Sequence, residues 1–529
     1  MYRYFLLLGL LAAAFGQKTG RTLYNGIQLP EPWPPRYGDV TAEPMPVPYL
    51  ASPPAVIPID VGRQLFVDDF LIASTTLKRT YHQAKYVAEN PVLKPDRPHE
   101  MPGGATAMVF SDGVWYDPKD RLFKMWYMAG YTSNVAYAVS KDGIHWDKPA
   151  VGVRPGTNLV FEGYRDSTTV WLDQEEKDPQ RRFQLFRMKR GPWAMELYYS
   201  PDGIHWNGPA ASTSTRMGDR STVFWNPFRQ VWVYSIRASN KLGRIRLYYE
   251  SADAAAGLAW KPDGPVPWTG ADRLDPPRPD LKTPPQLYNL DAVAYESLLV
   301  GLFSIWRGQP SGRPKPNDLV AGYSRDGFHW SRPDRSPLIP VSERKGDWNY
   351  GNIQSAGGCL LVVRDKLYFY VSGRAGVEGG SQSGVCSTGL ATLRRDGFAS
   401  MDAGAKEGVL TTRPIRFSGE HLFVNAAVRG GELRVEALDE RGRVIVPYTR
   451  KNSAPLRADA TIAEMKWKSR RNLSSLAGKP VRLRFYLKNG SLYSFWVTPD
   501  ANGASHGYVG AGGPGFTQPL DTVGAGAYQ

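Results

Sequence analysis

The sequence predicts an all-β chain, a five-bladed β-propeller followed by a C-terminal β-sandwich, and two patterns carry the prediction. The first is a repeated turn: Ser140-Lys-Asp-Gly-Ile-His-Trp146 returns as Ser200-Pro-Asp-Gly-Ile-His-Trp206 and as Ser324-Arg-Asp-Gly-Phe-His-Trp330. Asp-Gly between β-rich runs marks a tight hairpin, because both residues accept the positive φ that such a turn demands. A Trp at a fixed offset gives each hairpin a large flat group to pack on its neighbour. The second pattern is the period. The turn aspartates fall at 142, 202 and 326, intervals of 60 and 124 residues, so one degenerate copy belongs in the gap. Tyr248-Tyr-Glu-Ser-Ala-Asp253 with Trp260 supplies it, and Leu393-Arg-Arg-Asp-Gly-Phe398 is a fifth copy without its Trp. One small antiparallel sheet per period is the signature of a propeller.

In chain order, residues 1–16 read as a secretory signal peptide: a basic start at Arg3, an apolar run from Phe5 to Phe15 too short to span a bilayer, and Gly16 before the cut. Residues 17–63 are dense in proline and read as an extended arm or linker that lacks the backbone donors for a sheet. The propeller is expected over 64–404, with Leu77 to Tyr81 closing the ring against the last blade. Each blade opens with a strand that carries acidic or polar residues: Phe110 to Asp117, Asp166 to Asp173, Asp219 to Asn226, Asn289 to Glu296 and a looser segment from Asn352 to Asp365. An aromatic strand follows each opening, at 123–127, 183–186, 231–234, 299–303 and 367–370. After Gly408 the repeat stops. Alternating runs at 422–425, 432–437, 444–446, 465–467 and 481–486 predict a β-sandwich over 405–499. The Gly- and Ala-rich tail, 500–529, is expected to be disordered.

Composition narrows the function. The net charge is +15, and removing Arg3 with the signal takes it to +14, an excess that suits an acidic partner as well as it suits a plain alkaline pI. No basic run or nucleic-acid motif is present, so no nucleic-acid partner is expected. No later segment is apolar enough to span a membrane as a helix, and the protein is expected to be secreted or periplasmic, with no integral membrane association. Two cysteines make no disulfide framework, although Cys359 and Cys386 leave a single bridge open. His145, His205 and His329 belong to the turn repeat and read as structural. No His or Cys cluster has metal spacing, and there is no phosphate loop or nucleophile elbow, so neither metal nor cofactor is expected.

In a propeller the first strand of each blade lines the central channel, where charge is costly without a purpose. Aligned on their openings, Asp166 and Asp219 share one column, and Asp112 and Asp291 share another two residues on, which places all four on one strand face. Carboxylates converging on an axis separate one another's pKa values, as a general acid and its ionised partner require. Arg165 and Arg220 flank two of them and are suited to orienting a carboxylate or gripping substrate. Asp166, Asp219, Asp291 and Glu100, which lies just before the first blade, are the catalytic candidates. Asp112, Arg165, Arg220, Trp348 and Asn352 are the substrate-binding candidates, the last two from Asp347-Trp-Asn-Tyr-Gly-Asn352 at the matching place in blade five.

The repeated hairpins, the five openings, the Arg165-Asp166 pair opening blade two and the C-terminal β region resemble the five-bladed propeller glycoside hydrolases, closest in layout to family 32, the invertase and inulinase group, and more loosely to family 43. The resemblance covers roughly 64–498. It implies hydrolysis of a glycosidic bond in an oligo- or polysaccharide, with Asp166 as the oriented partner and Asp219 in the place of the blade-three general acid; the net charge leaves room for an acidic saccharide. The chain has no Trp-x-Asn-Asp-Pro-Asn motif before blade one and no Glu-Cys pair in blade three, so Glu100 or Asp112 takes the blade-one place. Two other readings of the same channel are a glycan-binding propeller without catalysis and a polysaccharide lyase acting on a uronic-acid glycan. Several desolvated carboxylates favour catalysis, since a binding module gains little from them.

Overall fold

The computed structural model describes residues 19–191, 193–377, 380, 382–468 and 472–528; the expected signal peptide lies outside them. The fold is almost entirely β, with one four-residue α-helix, Pro48–Ala51, among the described residues. The period of the sequence appears as a succession of antiparallel sheets. Ala107–Asp117, Leu122–Ala129, Asn134–Ser140 and Leu159–Phe161 form the first, and Arg165–Leu172, Phe183–Lys189, Ala194–Ser200 and Asn207–Ser212 the second. Thr222–Asn226, Val231–Asn240, Gly243–Ser251 and Val266–Gly270 form the third. Gln286–Glu296, Leu298–Trp306 and Asn317–Ser324 then meet Asn352–Ser355, Lys366–Arg374 and Cys386–Arg394 in one larger sheet, joined by a single parallel pair between Asn317 and Asn352.

The first strand of each group bonds the next. Trp115 Nε1 donates to Val170 O at 2.8 Å, Ser167 Oγ to Ser221 O at 3.0 Å, and Thr222 Oγ1 to Leu290 O at 3.2 Å. Ser355 Oγ donates to Asp291 at 2.6 Å, and Val114 N to Gly357 O at 3.3 Å, which returns the series to its first strand. The Asp-Gly turns end the third strands and repeat atom for atom. In each, the Ser Oγ accepts from the Gly amide, one Asp oxygen accepts two amides beyond it, and the other meets the His Nδ1 at 2.6–2.7 Å. Aromatic donors of the preceding sheet reach these turns: Trp126 Nε1 bonds Gly203 O at 2.7 Å and Trp268 Nε1 bonds Phe328 O at 2.8 Å. The repeated histidines therefore serve the turns.

Two further sheets enclose a separate apolar cluster that includes Phe66, Leu410, Val424, Val435, Phe485 and Phe495. One contains His421–Ala427, Asp459–Met465, Gly490–Thr498 and Ala399–Ala403; the other contains Glu432–Leu438, Arg482–Lys488 and Gly408–Thr412. Val444, expected in a strand, makes a single bridge to Leu438.

Several expectations need correcting. The strand that completes the last group is Lys85–Tyr86, which pairs with Cys386–Arg394, because Asn90 imitates a strand neighbour there by accepting from Leu390 N at 2.7 Å and donating to Leu390 O at 2.8 Å. Lys78–Tyr81 pairs instead with Ala399–Ala403, and Gln64–Leu65 and Ile72–Thr75 join the same C-terminal sheets, so 64–81 does not sit with the repeats. The arm is anchored rather than loose: Tyr49 is buried and Ile57–Pro58 pairs with Ile415–Arg416. The tail is ordered too. Its Tyr508–Val509 pairs with Gln286–Glu296, and its small residues permit close approach, since a Cβ on Gly513 would lie 1.7 Å from Val362 O. Cys359 and Cys386 are both buried and free.

Candidate active site

The ring of first strands leaves a polar network at its centre. Asp291 Oδ2 accepts from Ser111 Oγ at 2.7 Å, Asn289 Nδ2 at 2.9 Å and Ser355 Oγ at 2.6 Å. Three different first strands thus converge on one carboxylate oxygen, while no hydrogen bond from the described residues reaches the other. Asn289 stands in the alignment column of Asp166 and Asp219, and its Oδ1 takes the buried Arg246, whose guanidinium also bonds Arg220 O. Burial, with Arg220 beside it, pushes Arg246 down to about 9.

Asp112 does not join Asp291. A register shift between Met108 and Gly113, with Ser111 at φ 62°, breaks the alternation of the first strand. Ser111 consequently faces the centre, and Asp112 turns to a buried bidentate pair with Arg165 while accepting from Phe110 N at 2.8 Å. Burial raises the Asp112 pKa against the pull of Arg165. Both residues are consumed by each other, which corrects their reading as substrate contacts.

Asp166 lies at the start of Arg165–Leu172, whereas Asp219, expected to open the next first strand, precedes Thr222–Asn226; both are partly exposed. They belong to one local arrangement: Asp166 Oδ1 accepts the amide of Arg220, the residue after Asp219, at 3.0 Å. Asp219 is 37 % exposed, with its carboxylate 3.2 Å from Arg237 Nε.

Arg220 is the odd member. It holds a left-handed φ of 55° and is buried, yet its Nε, Nη1 and Nη2 have no hydrogen-bond partner. Its guanidinium lies 3.9 Å from the Phe110 ring centroid. A desolvated cation–π contact gives back about 2 kcal/mol, whereas removing an unpaired ion from water costs several kcal/mol. Burial accordingly lowers its pKa, opposed first by Asp291 and then by Asp166. The Arg374 guanidinium stands 5.5 Å from the same Phe110 ring and, with Tyr131 and Lys315, lines a cavity of about 790 Å³. Lys315 Nζ donates to Tyr288 Oη at 2.8 Å.

Three other candidates are placed elsewhere. Glu100 is wholly buried and saturated, by Tyr127 Oη at 2.7 Å, Lys148 Nζ at 2.7 Å and the amides of Asp96 and Arg97. It ties the loop before the first strand to its sheet and has no lone pair for chemistry. Trp348 lies flat on strands Lys366–Arg374 and Cys386–Arg394, where a Cβ on Gly373 or Gly389 would come within 2.2 and 2.0 Å of its ring, so one face of the indole is covered by the sheet. Asn352 is buried and donates to Lys315 O at 3.0 Å, holding a residue of the cavity wall without facing the cavity. Arg246 and Arg374 escaped sequence reasoning because they come from a third and a second strand, outside the aligned openings. Among the described residues no group of three or more His, Cys, Asp or Glu side chains is arranged to hold a metal ion.

No protein-family model matches this chain, and no curated protein matches it in sequence. Similar solved structures include a thermostable family-43 glycoside hydrolase, 11 % identical over 57 % of this chain and 95 % of that one, with a TM-score of 0.40. A β-fructofuranosidase from Schwanniomyces occidentalis is 11 % identical over 83 % of this chain and 98 % of its own, with a TM-score of 0.33. A family-43 arabinoxylan arabinofuranohydrolase from Bacillus subtilis is 9 % identical over 78 % and 98 %, with a TM-score of 0.36. At this distance no residue's role transfers, and the chemistry of the site rests on its own geometry.

Proposed function

We propose that this chain is an exported glycoside hydrolase, a five-bladed β-propeller with an appended β-sandwich, that cleaves a glycosidic bond at the mouth of its channel. The observation that carries the reading is the contrast among the acids. Asp112 and Glu100 are spent on internal partners, whereas Asp166 and Asp219 remain partly exposed near adjoining strand starts beside the central network. Asp219 is the general acid that protonates the leaving oxygen. Asp166, fixed by the Arg220 amide, is the ionised partner that stabilises positive charge at the anomeric carbon or activates water. Asp291, locked by three donors, supports the floor and offers its other oxygen to a sugar hydroxyl.

Release of reducing ends from a panel of plant and microbial polysaccharides tests the reading. Saturable binding without product would leave a glycan-binding protein, and an unsaturated product absorbing in the ultraviolet would leave a lyase.

A further inference from the structure

We infer that the site is built for a sugar bearing an oxyanion, a uronic carboxylate or a sulfate ester, received by Arg220 with Arg374 and Lys315 at its approach. The inference rests on the hydrolase reading only for where the saccharide lies.

Three observations carry it. Arg220 is buried and every one of its guanidinium nitrogens lacks a partner, although Asp291 and Asp166 are the acids whose charge it feels most. An arginine with carboxylates so placed would ordinarily fold onto one of them. Here Asp166 takes the Arg220 amide on one oxygen, Asp291 takes Ser111, Asn289 and Ser355 on one oxygen, and the guanidinium hydrogen-bonds to neither acid. Arg246 is kept from rotating away by bonds to Ser235 Oγ, Asn289 and Arg220 O, and its like charge bars Arg220 from turning towards the third strand. The second observation is the shared ring: Phe110 carries Arg220 at 3.9 Å and Arg374 at 5.5 Å. Arg374 is in turn part of the cavity wall together with Tyr131 and Lys315, and Arg220 lies buried behind that wall on the ring it shares with Arg374. The third is that Arg374 Nε also lacks a partner, while its Nη1 is oriented by Tyr131 Oη and Ser383 Oγ. Two guanidiniums with unmet donors beside one aromatic ring fit a planar or tetrahedral oxyanion that accepts from both. A neutral sugar could offer those donors hydroxyl oxygens but no charge to compensate the buried cations.

Titration calorimetry with trigalacturonate, a sulfated disaccharide and neutral galactotriose tests this, with the wild-type protein and Arg220→Gln. We expect the wild type to bind one or both charged probes at least about 30-fold more tightly than the neutral one, and to lose that preference as salt rises. Arg220→Gln should weaken the charged probe about 100-fold and the neutral probe less than about 3-fold. Preference for trigalacturonate alone identifies a carboxylate, and preference for the sulfated probe alone identifies an ester; either supports the subsite. If Arg220→Gln does not fold, Arg374→Gln and Lys315→Gln should each reduce the charged preference about 10-fold. Equal binding of charged and neutral probes by the wild type, or a preference untouched by these substitutions, overturns the inference. The two proposals fail separately. Cleavage of neutral glycans with no charged preference removes the oxyanion subsite and leaves the hydrolase, whereas tight charged binding with no reducing ends released leaves the subsite and removes the hydrolase.

Discussion

Asp219 and Glu100 show how far the same side-chain chemistry is divided by environment. Asp219, partly exposed and paired with Arg237, is proposed to meet the substrate, and Asp219→Asn should lower turnover about 10²- to 10⁴-fold with the melting temperature nearly unchanged. Kinetics and a thermal melt on one preparation check both halves; near-wild-type turnover would remove Asp219 as the acid and make Asp291 the next candidate. Glu100, holding Lys148, Tyr127 and two amides in the interior, should behave oppositely. Glu100→Gln takes one of two carboxylates from Lys148, which keeps Asp96, and cannot accept all the donors of the carboxylate; it is expected to cost about 2 kcal/mol of stability with kcat per folded molecule preserved, read by chemical denaturation beside an active-fraction assay. Asp117 provides a pH signature. Burial raises its pKa, but Arg182 and Lys124 outweigh that and hold it down at about 2. A depressed carboxylate stabilises fully above its unfolded value near ~4 and loses that contribution as pH falls towards 2. Denaturation curves from pH 6 to pH 2 should therefore slope less in Asp117→Asn than in the wild type.

At the scale of the element, the Asp-Gly turn shows why the repeat is spelled as it is. Its Gly supplies positive φ and also room: at Gly203, φ is 80° and a Cβ would stand 2.4 Å from the Trp126 ring of the preceding sheet. Gly156 has a similar φ of 73° with nothing within 4 Å. Gly156→Ala should cost about 1 kcal/mol, the price of the left-handed backbone alone. Gly203→Ala must also displace Trp126 from its bond to Gly203 O, and about 3 kcal/mol is expected. Equal losses in the two variants would show that the turn does not depend on that contact. The strand bulge at Ser111 works at the same scale, because one shifted register exchanges Ser111 for Asp112 at the centre.

Over the whole molecule, the termini hold the sheets together. Asp521 of the tail pairs with Arg395 at 2.9 Å, inside a buried set that also joins Arg395 to Glu296 and Arg63 to Asp396. These charges bridge the arm, the repeats and the C-terminal sheets. Removing residues 500–529 leaves Arg395 short of a carboxylate and uncovers the strand edge that Tyr508–Val509 occupies. The truncated protein should melt about 10 °C or more below the full chain. An unchanged melting temperature would mean that the tail is dispensable to the fold.

The all-β character and the order of sheets were legible in the sequence because they are written locally: Asp-Gly turns with their Ser and His partners, aromatic second strands and a recurring period. The alternation assumed for the opening strands did not set the faces of Asp166 and Asp219, because the second opening breaks register between Arg165 and Thr168 and the third begins at Thr222, after Asp219. Asn289 stood in their alignment column as well. The rest depends on partners distant in sequence. Whether Asp112 is free or spent turned on one bulge and on Arg165, 53 residues away. Whether Lys78–Tyr81 or Lys85–Tyr86 completes the last group turned on Asn90 reaching Leu390. The tail's glycines looked like a source of freedom and prove to be points of close backbone approach, a distinction composition cannot make. The unpaired state of Arg220 is the clearest case. An arginine's charge is fixed by its chemistry, but its lack of a partner is a property of everything packed around it, and only the folded chain determines that.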